Sequence, residues 1–210
     1  TIACPHCIVE AGPHRKEEMV FKHFSTWLQQ AREYRDGYIA GLAITGGEPF
    51  YNMEKLIKMS ELGSKMGFII SVVTNTFWAS TRQAAIDTLS LLPAVKIFSF
   101  STDVYHQKSI PFDYIKNAVW AAKELNYAYS MGVCTDNENN EEYRKIVADI
   151  EAIGEAARIR PSITFPVGRV VKHLNAFDFP GVREPPTAAC SMAGSPVVFP
   201  NGDINACIGP

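Results

Sequence analysis

The chain contains no block of lysine or arginine, and its 20 basic residues are outnumbered by 22 acidic ones, for a formal net charge of -2. Neutralising a phosphate backbone takes clustered cations, so nucleic acid is not the expected partner. Also missing are an apolar run long enough to cross a bilayer and a signal-peptide pattern, so we expect a cytoplasmic chain with no membrane role. Cysteine is sparse and odd in number: of five, Cys4 and Cys7 form a CxxC, Cys134 stands alone, and Cys190 and Cys207 lie near the C-terminal end. Secreted disulfide scaffolds are dense and even in cysteine; metal-ligating thiols in a reducing compartment fit this pattern better. Internal repeats and low-complexity segments are lacking too.

What is present is an ordinary globular balance, 47% hydrophobic and 20% charged over 210 residues, enough for one large domain with a small appendage. The chain opens at Thr1 without a methionine and closes at Cys207-Ile208-Gly209-Pro210, and both ends read as cut.

Hydrophobic periodicity gives an alternation of elements. Val20, Phe24, Trp27, Leu28 and Ala31 recur at helical spacing between Glu17 and Tyr34, and Tyr38 to Ile44 reads as a strand buried on both faces. A helix carrying Met53, Leu56, Ile57 and Met66 follows, stopped by Gly67. Strands are expected at 68–74, 95–101, 127–134 and 157–165, and helices at 81–92, 113–125 and 141–153. Such alternation implies right-handed crossovers and a parallel sheet. Thr45, Asn75, Ser101, Asp103, Thr135 and Asp136 all fall at strand C-termini, the edge where parallel α/β folds place their ligands. From 170 to 189 the chain is rich in breakers and reads as a linker. Beyond it, 195–199 and 203–206 flank Pro200-Asn201-Gly202 as a hairpin, preceded by Cys190 and closed by Cys207.

The CxxC alone fits half of a zinc site, a redox dithiol or part of an iron–sulfur loop. Gly46-Gly47-Glu48-Pro49 sits between a strand and a helix. Its glycines leave backbone N–H groups open to a carboxylate or phosphate and Glu48 offers a charge to an amine, although an ordinary βα turn with Pro49 opening the helix has the same look. Tyr105-His106-Gln107 is a substrate-contacting or merely capped loop. Cys134 reads as a small buried hydrophobe, and Arg169 as a carboxylate clamp or a surface ion pair. No general acid–base pair is evident.

Taken together, the CxxC loop before the first helix, Thr45-Gly46-Gly47-Glu48-Pro49 after the next strand, the strand end Thr74-Asn75 and the run Ser99 to Asp103 resemble the radical SAM superfamily from Thr1 to about Arg169. The resemblance implies a partial (β/α)6 barrel over 1–169, a [4Fe–4S] cluster and S-adenosylmethionine (SAM). It makes Cys4 and Cys7 the second and third cluster ligands, with the first ligand and the first barrel strand lying before Thr1. His6 would pack near the adenine, and Gly46, Gly47, Glu48 and Pro49 would bind the methionine amino group. Ser99, Ser101 and Asp103 would meet the ribose or carboxylate, and Asn75 is a further SAM contact or a plain strand end.

Cys190, the Asn-Gly hairpin and Cys207 resemble the start of a SPASM or twitch extension over 190–210, implying one or more auxiliary iron–sulfur clusters with further ligands beyond Pro210. The activity then expected is reductive cleavage of SAM to a 5′-deoxyadenosyl radical that abstracts hydrogen from a peptide or protein, for crosslinking, epimerisation or oxidation. An electron donor such as flavodoxin or ferredoxin would be the second partner. The alternatives are a small-molecule substrate in cofactor biosynthesis, or a non-enzymatic zinc module built from Cys4, Cys7, Cys190 and Cys207.

Overall fold

The structure is a computed structural model and describes residues 2–135, 137–173 and 195–206. Five parallel strands form one sheet in sequential order: β1 (Gly41–Ile44), β2 (Ile69–Thr74), β3 (Val95–Ser101), β4 (Ala128–Thr135) and β5 (Ile159–Ile163). The helices are α1 (Phe21–Glu33), α2 (Met53–Lys65), α3 (Arg82–Ser90), α4 (Phe112–Glu124), α5 (Glu141–Ala152) and the short α6 (Val170–His173). This is the expected α/β architecture, a curved parallel sheet of partial-barrel type. The expected hairpin is present as the antiparallel pair β6 (Val197–Val198) and β7 (Ile204–Asn205).

Local chemistry accounts for three of the helix starts. Thr81, Asn52 and Asn140 each accept backbone N–H groups of the first turn, from Ala84, Lys55, and Glu142 with Tyr143. By contrast, α1 begins at Phe21 rather than Glu17. Val20 caps it without a side-chain bond, while the Glu17 carboxylate is occupied by Arg15.

Alternation along the strands divides the sheet into two faces. Ile70, Val72, Phe98, Phe100, Met131 and Val133 are fully buried and pack with Leu56, Leu89, Ile115, Ala118, Ala122 and Ile150 of the helices. The other face carries Ser71, Val73, Ser99, Ser101, Ser130, Gly132 and Cys134, all only half-buried. A methyl placed on Gly132 would meet nothing closer than Ser99 Oγ at 3.9 Å. That face is therefore small, hydroxyl-rich and open.

Three expectations need correction. β1 is shorter than Tyr38–Ile44 and is not buried on both faces: it pairs only with β2, Tyr38 is 74% exposed, and within the strand only Ile44 is buried. β5 begins at Ile159, after a 3-10 turn over Ala156–Arg158, and is an edge strand that tolerates Pro161. The linker expected from 170 starts instead with α6, because Val170 is fully buried. The remainder of that linker, with Cys190 and Cys207, lies outside the described residues, as does Asp136. The hairpin turn rests on α1. Gly202, at φ +95°, comes so close to the Trp27 ring that a Cβ would sit 3.2 Å from it.

Candidate functional site

Four segments converge at the C-terminal edge of the sheet: the dithiol loop, the β1 exit, the β2 exit and the β3 exit. The dithiol loop is a series of turns, with Cys7 N–H donating to Cys4 O (3.2 Å) and Glu10 N–H to Cys7 O (3.3 Å). The Ala11 N–H donates to Cys7 Sγ at 3.2 Å. The next turn of chain after β1 lies against this loop: a Cβ on Gly47 would be 3.8 Å from that of Ala11. Gly46 adopts φ +122°, a conformation that favours glycine, and a Cβ there would meet nothing within 4 Å.

Glu48 fastens the β1 and β2 exits to each other. Its Oε1 accepts from Thr74 Oγ1 (2.8 Å) and from Phe50 N–H (3.2 Å), and its Oε2 accepts from Asn75 N–H (2.9 Å). It thereby caps the 3-10 turn that Pro49 opens. Burial pushes the Glu48 carboxyl above its ordinary pKa in spite of these three bonds. Its oxygens thus serve the fold first, as the ordinary-turn reading of this motif has it. Thr74 Oγ1 also accepts the Trp78 indole N–H at 2.9 Å, and Asn75 Oδ1 accepts Phe77 N–H at 3.1 Å.

At the β3 exit Asp103 is buried. Its Oδ1 accepts N–H from Tyr105 (2.9 Å) and His106 (3.0 Å), and its Oδ2 pairs with His106 Nδ1 at 2.8 Å. Burial by itself would lower the pKa of His106. The hydrogen bond it donates to Asp103, helped by the Cys4 sulfur, instead lifts it to about 10. Desolvation likewise opposes ionisation of Asp103, but His106 holds that carboxyl below its usual range.

His6, from the dithiol loop, completes the group. Its ring stacks on Tyr105 with centroids 4.3 Å apart and meets His106 edge-on at 5.1 Å. Its Nε2 is 3.7 Å from Asp103 Oδ2. Burial takes its pKa down to about 4, so it is neutral at pH 7. Ligand atoms of His6, Asp103 and His106 lie within 4.8 Å of one another, close enough for a metal. Both Asp103 oxygens are already engaged by Tyr105 and His106, whereas His6 makes no hydrogen bond to the pair and its buried Nδ1 has no partner among the described residues.

The sequence-derived residues Cys4, Cys7, His6, Gly46, Gly47, Glu48, Pro49, Asn75 and Asp103 therefore share one rim, with Ser99 and Ser101 on the open sheet face leading up to it. Cys134 lies on the same face, half-buried rather than buried, with Sγ 3.2 Å from Thr164 Oγ1. Thr74 belongs to the strand end already picked out with Asn75, whereas no sequence motif pointed to Ser71, Ser130 or Gly132. Period-two reading of β2 and β4 was the signal available for the last three. Arg169 pairs with no carboxylate among the described residues: it is buried, and its guanidinium donates to the Cys4 and Ala11 carbonyls.

The donor set fits an iron–sulfur ligand loop. Two half-buried thiols lie three residues apart across a turn, one of them already accepting a backbone N–H, as cluster-bound thiolates do. A parallel α/β sheet with this loop and a glycine turn on its C-terminal rim defines a cofactor-dependent α/β-barrel core.

The radical SAM superfamily model matches residues 1–150, and the chain belongs to that superfamily. Among solved structures it is similar to methylornithine synthase (PylB), with TM-score 0.58 and 13% identity over 80% of this chain. The match covers 51% of that chain, so the sequence spans about half its length. A second match, the A domain of carboxylic acid reductase from Segniliparus rugosus, has a TM-score of 0.28 at 14% identity over 78% of this chain and 23% of that one, and carries no argument. No curated protein matches the chain.

Proposed function

We propose that this chain is the core of a radical SAM enzyme that modifies a peptide or protein by hydrogen abstraction. Membership of the superfamily implies a [4Fe–4S] cluster and SAM. The observation that carries the reading is the convergence of the dithiol loop, the Gly46-Gly47 turn and the Asp103–His106 network on the rim of an open, hydroxyl-lined sheet face.

Cys4 and Cys7 would hold two of the cluster irons. A cluster and SAM bound there would supply the reducing electron and the hydrogen-abstracting chemistry. The chain's own part is positional. Gly46 and Gly47 expose backbone N–H groups beside the loop, and Glu48 fixes that turn to the β2 exit. Asp103 fixes His106 and Tyr105, against which His6 packs. The small face between them leaves space in which a substrate C–H can be aligned and water excluded. Peptide as the substrate class is supported by the hairpin that follows the barrel, flanked in sequence by Cys190 and Cys207.

The test is anaerobic incubation of the iron-reconstituted protein with SAM and dithionite. We expect 5′-deoxyadenosine, and its absence with candidate peptides present would overturn the reading. Mass shifts in a precursor peptide support the peptide assignment; turnover that responds only to small metabolites rejects it.

A further inference from the structure

Arg169 is separated from Cys4 by most of the chain, yet the hydrogen bonds it donates end on the dithiol loop or next to it. Its Nη1 donates to Cys4 O at 2.6 Å, its Nη2 to Ala11 O at 2.5 Å, and its backbone N–H to Cys7 O at 3.1 Å. The preceding residue makes this approach possible. Gly168 adopts φ +62°, and a Cβ there would lie 2.4 Å from Ile8 O and 2.7 Å from Cys7 O. Any side chain at 168 would collide with the loop backbone. One turn on, Lys172 pairs with Glu10 at 3.0 Å, at the surface. The loop is thus gripped at Cys4, at Cys7 and Ile8, and at Ala11, spanning both thiols.

We infer that Gly168-Arg169 is a latch that holds the dithiol loop in its cluster-binding shape and that Arg169 is a positioning residue for the cluster. This rests on the radical SAM reading of the loop. A planar guanidinium with a fixed fork of donors can hold two carbonyls at once, whereas an ammonium is a point donor. Arg169 is also a buried cation, 8% exposed, with neutral carbonyls as its bonded partners. Burying such a charge is unfavourable unless anions lie near. The Glu10 carboxylate lies within electrostatic reach, and cluster-bound thiolates at Cys4 and Cys7 would supply further anionic charge, so the latch and the cluster would stabilise each other. The same positive charge favours the reduced cluster, which carries one more electron.

The experiment compares wild type with R169Q, R169K and K172A in the whole chain. Amide exchange of the apoprotein and the reduction potential of the reconstituted cluster are both measured. In R169Q the amides of Cys7, Glu10 and Ala11 should exchange at least about tenfold faster while the amides of β2 and β3 keep their protection. The cluster potential should fall. R169K should recover the potential in part but not the loop protection. K172A should match wild type, because an exposed ion pair contributes little. Unchanged loop exchange in R169Q, or acceleration spread evenly over the sheet, would overturn the latch. Should R169Q fail to fold, R169K is judged by the same two outcomes. If the wild type takes up no iron, the enzyme reading fails, while the apoprotein exchange data still decide the latch.

Discussion

Glu48 illustrates how a single residue can carry two readings at once. Its place in a Gly-Gly-Glu-Pro turn directed attention to an amine ligand, while its three hydrogen bonds tie together the exits of β1 and β2. Because burial raises its pKa above the ordinary value, the folded state holds its proton more tightly than the unfolded chain does. The sign follows from linkage: this contribution is fully present below the unfolded pKa and is lost as pH rises through the raised folded value. Glu48→Gln cannot titrate, and its amide replaces one acceptor, so it should cost about 1–3 kcal/mol at low pH for the N–H left unpaired. The gap between wild type and variant should narrow as pH rises from 4 to 7, read from urea midpoints of the apoprotein. A gap that widens over that range would show that the three hydrogen bonds outweigh burial. At this scale His106 and Arg169 were visible in the sequence but not their partners. A DxYH run does not reveal that its histidine faces both Asp103 and a dithiol loop a hundred residues away, nor does Gly-Arg reveal that its targets are carbonyls.

Elements were the most legible level, because strand and helix periods are local properties of the chain. β2, β3, β4 and α2 to α5 lie within a residue or two of their expected ranges, since each carries a clean apolar pattern and α2, α3 and α5 have a capping side chain. The errors fall on edges. β1 and β5 border the sheet, so their apolar residues are not matched by burial, and a pattern read as two-sided burial overstates their length. Which face of a strand carries the function is a tertiary fact and was not legible, although the alternation of Ser99 and Ser101 with Phe98 and Phe100 held the clue. The two phenylalanines are fully buried and stack with each other at 6.2 Å. Phe100 also contacts Trp78 and Tyr129. Phe100→Ala should therefore cost about 3–5 kcal/mol, because the rings and helices around it cannot all collapse into the space. Chemical denaturation of the apoprotein measures this, and a loss below about 1 kcal/mol would mean that the central sheet face is loosely packed.

For the molecule as a whole, the decisive feature is that the sheet has one filled face and one hollow one. The filled face sets stability; the hollow face, running up to the dithiol rim, is where the proposed substrate must lie. Gly132 separates these roles. It sits on the hollow face at the centre of β4, paired across to Ser101, and does not adopt a positive φ, so glycine is not needed for its backbone. A Cβ there meets only Ser99 Oγ, at 3.9 Å. Gly132→Val adds a β-branched residue to a strand, which favours that conformation by up to about 1 kcal/mol, and fills space without displacing any core side chain. The expected result is a thermal midpoint equal to or above that of the wild type, with iron uptake and SAM binding unchanged. Substrate-dependent 5′-deoxyadenosine formation should fall by at least about tenfold, since displacing a reacting C–H by roughly 1 Å is enough to lose that much or more. A variant that is stable and still turns over substrate at the wild-type rate would place the substrate elsewhere than on this face. A variant that unfolds would mean that the face is packed in solution and that the division of the sheet into a structural and a working side is wrong.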